Sequence, residues 1–181
     1  EKAVAMAQQM YGNATEPRMV FRTWAFCFSF TRPLRNGTRQ FLDGYKTGMQ
    51  TGDTESAAYC MIGHVTSTFL QGKVLNVLEE DCRIYMKHLQ DLGRVELAQS
   101  ISFILDAVQY LMGLSDTCDL LRDLDREPKA FELSRFVYRI AVLAYLGEYE
   151  EGAKHAIKHG DMYLKKAPGA ITCQTECFAR E

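Results

Sequence analysis

Leu143-Ala144-Tyr145-Leu146-Gly147-Glu148-Tyr149-Glu150-Glu151-Gly152-Ala153 is the stretch that decides the fold. Upstream of it Leu133, Phe136, Ile140 and Leu143 step by three or four residues, and downstream Gly152, Ala153, Ala156, Ile157, Gly160 and Leu164 do the same. Each set places one apolar or small stripe on a helix. Gly147 between them can take the left-handed conformation that ends a helix, and the small Gly152 five residues on lets the next helix approach closely. The stretch therefore predicts a helix, a tight turn and a second helix lying back on the first.

Working outward, the same spacing of turn glycine and small residue recurs at Gly52/Ala57 and Gly93/Ala98, so the unit repeats at intervals of 41 and 54 residues. Leu75, Leu78, Cys82, Tyr85, Met86, Leu89 and Leu92 form one intervening stripe, and Leu97, Ile101, Ile104, Leu105, Val108, Leu111 and Met112 another. Ala58, Met61, Ile62, Val65 and Phe69 make a third, preceded by Asp53 and Glu55 in the places of a helix cap and an acidic first turn. Pro17, Pro33, Pro128 and Pro168 fall between stripes, where helices start or have ended. The expected helices cover 2–11, 17–30, 37–50, 53–71, 75–91, 95–112, 129–146 and 149–166, with room for another after Gly169. No period-2 strand is present in this reading. The expected fold is all-α, a solenoid of antiparallel helix pairs at about 2–30, 37–71, 75–112 and 129–166, forming one helical-repeat region over 1–181. A helical pattern already runs at Val4 and another near Phe178, so the region reads as a segment of something longer.

The quoted stretch, closed by Pro168, resembles a tetratricopeptide unit in which Gly152 stands where that repeat usually has Ala. A longer series is more specific: Trp24, Arg32-Pro33-Leu34, Gly44-Tyr45, Gly48-Met49, Gly52-Asp53, Phe69, Gly72-Lys73, Leu75, Leu143 to Tyr149 and Ala167-Pro168-Gly169. Together these are similar to the tetratricopeptide-like helical region that follows the AAA ATPase module in sensor proteins joining a Ser/Thr kinase, an ATPase, a GAF domain and a histidine kinase. The resemblance spans roughly residues 20–181. It implies a cytoplasmic scaffold without chemistry of its own, coupling a nucleotide switch to output domains. Tetratricopeptide arrays repeat at about 34 residues, so the longer intervals here imply longer, less uniform helices.

Composition limits the partners. The 181 residues are 47% hydrophobic and 24% charged, enough for a substantial core, and 21 Lys and Arg against 23 Asp and Glu leave a net charge of −2. No basic surplus is available for a phosphate backbone, so nucleic acid is not the expected partner. No apolar run approaches the ~20 residues of a membrane helix. The expected partner is another protein or a neighbouring domain, with no cofactor and no metal. Cys27, Cys60, Cys82, Cys118, Cys173 and Cys177 include no Cys-x-x-Cys pair and read as reduced core thiols.

Several constellations carry a sharper alternative. Glu151, His155 and His159 lie at i, i+4 and i+8, a spacing that could offer a carboxylate and two imidazoles to a hydrolytic metal. The Glu that follows the first His in zinc proteases is missing and Lys154 and Lys158 intervene, so a solvated polar face opposite Ala153, Ala156 and Ile157 is the expectation. Cys173 and Cys177 supply only half a tetrahedral site. Gly72-Lys73 lacks both the first glycine and the hydroxyl of a phosphate loop, and reads as an interhelical turn. Gly44, Gly48 and Gly52 recur every four residues among charged neighbours and point to close packing of helices. The aromatic run around Trp24, with Phe21, Phe26, Phe28 and Phe30, is expected to be buried on both sides. Arg32, Arg35 and Arg39 beside Asp43 read as a charge-balanced edge. Eight Met and 11% aromatics are also compatible with a small-molecule sensor, though they single out no pocket.

Overall fold

The computed structural model describes residues 16–28, 32–122 and 133–166. They form α1 (Pro17–Phe26), α2 (Leu34–Thr51), α3 (Thr54–Leu70), α4 (Leu75–Asp91), α5 (Val95–Leu111), a short 3-10 turn at Asp119–Leu121, α6 (Leu133–Tyr145) and α7 (Tyr149–Lys166). The fold is all-helical, with no strand among the described residues. The expected helices at 2–11 and after Gly169, and Pro128, Pro168, Cys173 and Cys177, lie outside the described residues.

Three tight hairpins organise the described residues. Gly52 closes α2 at φ 81° and Asp53 opens α3, so only two residues separate the helices. The Asp53 carboxylate accepts the Ser56 amide at 3.2 Å, which satisfies one of the free amides of the first turn. That bond and a weaker attraction to Arg18 hold the Asp53 carboxyl below its ordinary range. Gly93 and Gly147 end α4 and α6 at φ 70° and 81°. At both ends the two residues after the cap bond back in the double pattern of a glycine-terminated helix, Arg94 N–H to the Leu89 carbonyl and Glu148 N–H to the Leu143 carbonyl at 2.8 Å each. Gly72, between α3 and α4, is likewise a turn glycine at φ 63°.

Two boundaries differ from the sequence reading. The helix expected to run to residue 30 ends at Phe26 with Cys27 as its cap, and Arg32, the residue ahead of Pro33, is disfavoured in helical geometry. The helix expected from Gly37 begins at Leu34, with Pro33 in the cap position. Gly37 therefore lies inside α2, where a Cβ would stand 2.7 Å from the Trp24 ring. The missing side chain is what lets Trp24 of α1 bury itself.

The first hairpin is packed through such notches. A Cβ at Gly48 would meet Ala57 Cβ and the Asp53 carbonyl oxygen at 2.9 Å each, and one at Gly44 would meet Cys60 Sγ at 2.9 Å. One at Gly63 would strike the Phe41 ring at 2.6 Å. The main core then runs on through Met61, Val65, Phe69, Leu78, Leu89, Ile101, Ile104 and Val108 to Tyr138 and Val142, so α3 to α6 share one interior.

Contact between first and third hairpins is direct. The hydroxyls of Thr66 in α3 and Tyr138 in α6 lie 2.7 Å apart in the core, and the Tyr145 hydroxyl donates to the Phe69 carbonyl at 2.8 Å. Phe69 also meets both tyrosine rings edge to face. An extended array, in which each unit touches only its neighbours, does not make such contacts. The segment after α5, residues 113–122, is fixed by charge: buried Arg135 of α6 bonds the Asp119 carboxylate at 3.3 Å and the Asp119 and Arg122 carbonyls, while Asp106 of α5 accepts the Asp119 amide at 2.6 Å. This clamp seats Cys118 and Leu120 in the core.

Candidate interaction groove

α1 packs against both α2 and α3, but it does not bury all of its aromatic side chains. Trp24 and Phe28 are buried and meet edge to face at 5.1 Å, as expected. Phe26 is 41% exposed, which corrects the expectation of a helix buried on both sides. The physical reason is geometry: residues 17–26 form a helix with one face on α2 and α3, and Phe26 projects from the other. Cys27 beside it is exposed as well, unlike Cys60, Cys82 and Cys118.

Phe21 bridges the two environments. Its ring stacks on Tyr59 of α3 at 5.1 Å and 30°, and meets Phe26 edge to face at 5.9 Å. Around these rings runs a groove of about 500 Å³ lined by Arg18, Phe21, Arg22, Phe26, Glu55, Ser56 and Tyr59. Glu55 and Tyr59 also line a second hollow of about 290 Å³, which reaches Gly93, Arg94 and Glu96 at the turn into α5. The two together form an open trough across the first turns of α3 and α5.

Its charges divide into two kinds. Glu55 and Glu96 sit in the first turns of α3 and α5, where a carboxylate complements the unpaired amides of the helix start. Arg18 and Arg22, one turn apart on α1, have no carboxylate within ion-pair distance among the described residues, and neither has Arg94.

The sequence-derived signature is scattered over the molecule. Gly44, Gly48, Gly52, Asp53 and Ala57 cluster in the first hairpin, with Trp24 of α1 packed on it at Gly37; Pro33 caps α2. Gly72, Gly93, Ala98, Gly147, Tyr149 and Gly152 belong to the turns and crossings of later helices. Arg32 rests on the Phe28 ring at 4.5 Å and Arg39 pairs with Asp43 at 4.0 Å, a balanced edge away from the groove. Of the groove residues, the sequence reading names Glu55 only as a first-turn acid and does not single out Arg18, Arg22 or Tyr59. Arg18 and Arg22 flanking Phe21 at helical spacing was the available signal.

Glu151, His155 and His159 need a different correction. His155 is only 7% exposed, so the face carrying it is not solvated, whereas Ile157 on the supposed buried side is 69% exposed. His155 stacks on Phe136 at 5.4 Å and His159 lies 4.9 Å from the same ring, which makes the pair part of the α6–α7 packing. Glu151 is exposed and pairs with Lys154 at 2.9 Å. Among the described residues no three His, Cys, Asp or Glu come together in a way that could hold a metal ion.

Burial pushes the Cys60 and Cys82 thiols up to about 12 and Cys118 up to about 11, aided by nearby carboxylates. At neutral pH they are protonated, and a thiol is a far weaker nucleophile than a thiolate. Cys60 instead donates to the Pro17 carbonyl at 3.4 Å and so ties α3 to the start of α1. No described helix is long and apolar enough to cross a membrane. No family model, curated protein or solved structure matches this chain.

Proposed function

We propose that the chain is a non-catalytic helical scaffold that binds a protein, or a neighbouring domain of a longer protein, through the groove between α1 and the starts of α3 and α5. The observation that carries this reading is the Phe21–Tyr59 stack with exposed Phe26 beside it, rimmed by Arg18 and Arg22. Aromatic and arginine side chains are the residues that supply most of the energy in protein interfaces. A concave apolar floor with polar edges is the usual form of a docking surface.

The three glycine-turned hairpins support a finer statement. In it they are antiparallel pairs of a tetratricopeptide-like solenoid wound tightly enough for the first and third to touch, and the resemblance to the helical region beside AAA ATPase modules implies a cytoplasmic signalling protein. There it would couple a nucleotide switch to kinase output. In this reading the chain needs neither cofactor nor metal, and its partner is neither nucleic acid nor membrane. Affinity purification from the native host tests the proposal. A Phe26→Ser/Tyr59→Ser variant of unchanged helicity should lose specific protein companions that the parent retains; identical companions from both would refute the groove as the docking surface.

A further inference from the structure

We infer that the occupant of this groove is an acidic peptide segment with an aromatic or leucine anchor; the inference rests on reading the groove as a docking surface. The two glutamates of the trough already have a use inside the fold, since each complements the first turn of its own helix. Arg22 has no such internal use, and Arg18 has only a weak attraction to the Asp53 carboxylate, short of an ion pair. They stand one turn apart on α1, exposed, on the same wall as Phe26.

An arginine pair spaced by one helical turn beside an apolar floor is matched by carboxylates flanking an apolar side chain. The aromatic floor then takes the anchor. Phe26 and Tyr59 present ring surface that water covers in the free chain, and an inserted aromatic or leucine side chain removes it from water. Glu55 and Glu96 on the opposite side set the orientation: the acidic edge of the segment faces α1, because the other wall repels it. The same two glutamates argue against an anionic bilayer, which would meet them across the trough as readily as it meets the arginines.

Selection of a random dodecapeptide display library on the immobilised chain, followed by fluorescence anisotropy with labelled winners, tests this directly. Winners should carry net negative charge around an aromatic or leucine. An Arg18→Glu/Arg22→Glu variant should weaken them by roughly tenfold or more, and Phe26→Ser should weaken them too; both sites are exposed, so circular dichroism should match the parent. Basic or uncharged winners that still require Phe26 would overturn the acidic chemistry and leave the docking surface standing. Winners indifferent to both variants, or no enrichment at all, would remove both readings. Phosphatidylserine vesicles that bind more tightly than any peptide, through the same arginines, would replace the peptide by a membrane. Self-association of the chain that blocks the groove would replace it by a second copy.

Discussion

The hairpins α2/α3 and α6/α7 share the same turn glycine conformation yet differ in how closely their helices approach. At the first, a Cβ on Gly48 would stand 2.9 Å from a backbone oxygen and from Ala57; at the last, a Cβ on Gly152 would sit 3.7 Å from Leu143, an ordinary contact. Gly52 and Gly147 have the same φ of 81°. A shared turn therefore does not set the interhelical distance, which depends on the side chains at the crossing. The tight hairpin holds α1 and the groove; the looser one is braced by aromatic rings and by hydroxyl bonds to α3.

The largest expected effect breaks the tight crossing. Gly48→Leu should destabilise the chain by about 3 kcal/mol, the upper part of the usual overpacking range, because backbone rather than a flexible side chain lies in the way. An unchanged urea midpoint would show that the crossing relaxes freely. Next, Tyr138→Phe removes the bond to Thr66 in the core and should cost about 1.5 kcal/mol. If it costs nothing, the third hairpin is not held to the first through that bond.

Asp53→Ala should cost about 1 kcal/mol near neutral pH. Its folded carboxyl lies below the ordinary value, so its contribution is full above that value and fades as pH falls through the folded one. The gap between variant and parent should close in acid; a gap that widens there would contradict the cap. Smallest, and opposite in sign, Gly152→Ala should stabilise by up to about 1 kcal/mol, since Ala is the better helix former and has room. A loss of stability there would erase the difference between the two hairpins.

Much of this arrangement is written locally. Glycine turns and apolar stripes depend on neighbours three or four residues apart, which is why α3 to α5 and α7 begin and end within a residue or two of expectation. Arg135 reaching the Asp119 and Arg122 carbonyls is different, as is Tyr145 reaching Phe69, 76 residues earlier. Such partners are set by how hairpins stack, and periodicity has no term for that. The burial of His155 and the exposure of Phe26 have the same cause: which face of a helix is covered depends on neighbours that its own periodicity does not name. The groove combines residues from α1 and α3 with the turn before α5, so no single segment displays it.

Photo-cross-linking from within the groove tests the central claim most directly. Benzoylphenylalanine replacing Phe26 should give a discrete adduct with a protein or neighbouring domain in the native host, while the same group replacing Ile84, an exposed apolar residue on α4 outside the groove, should give none. Adducts from position 84 alone would contradict the account, because the docking surface would then lie on α4 rather than between α1 and α3.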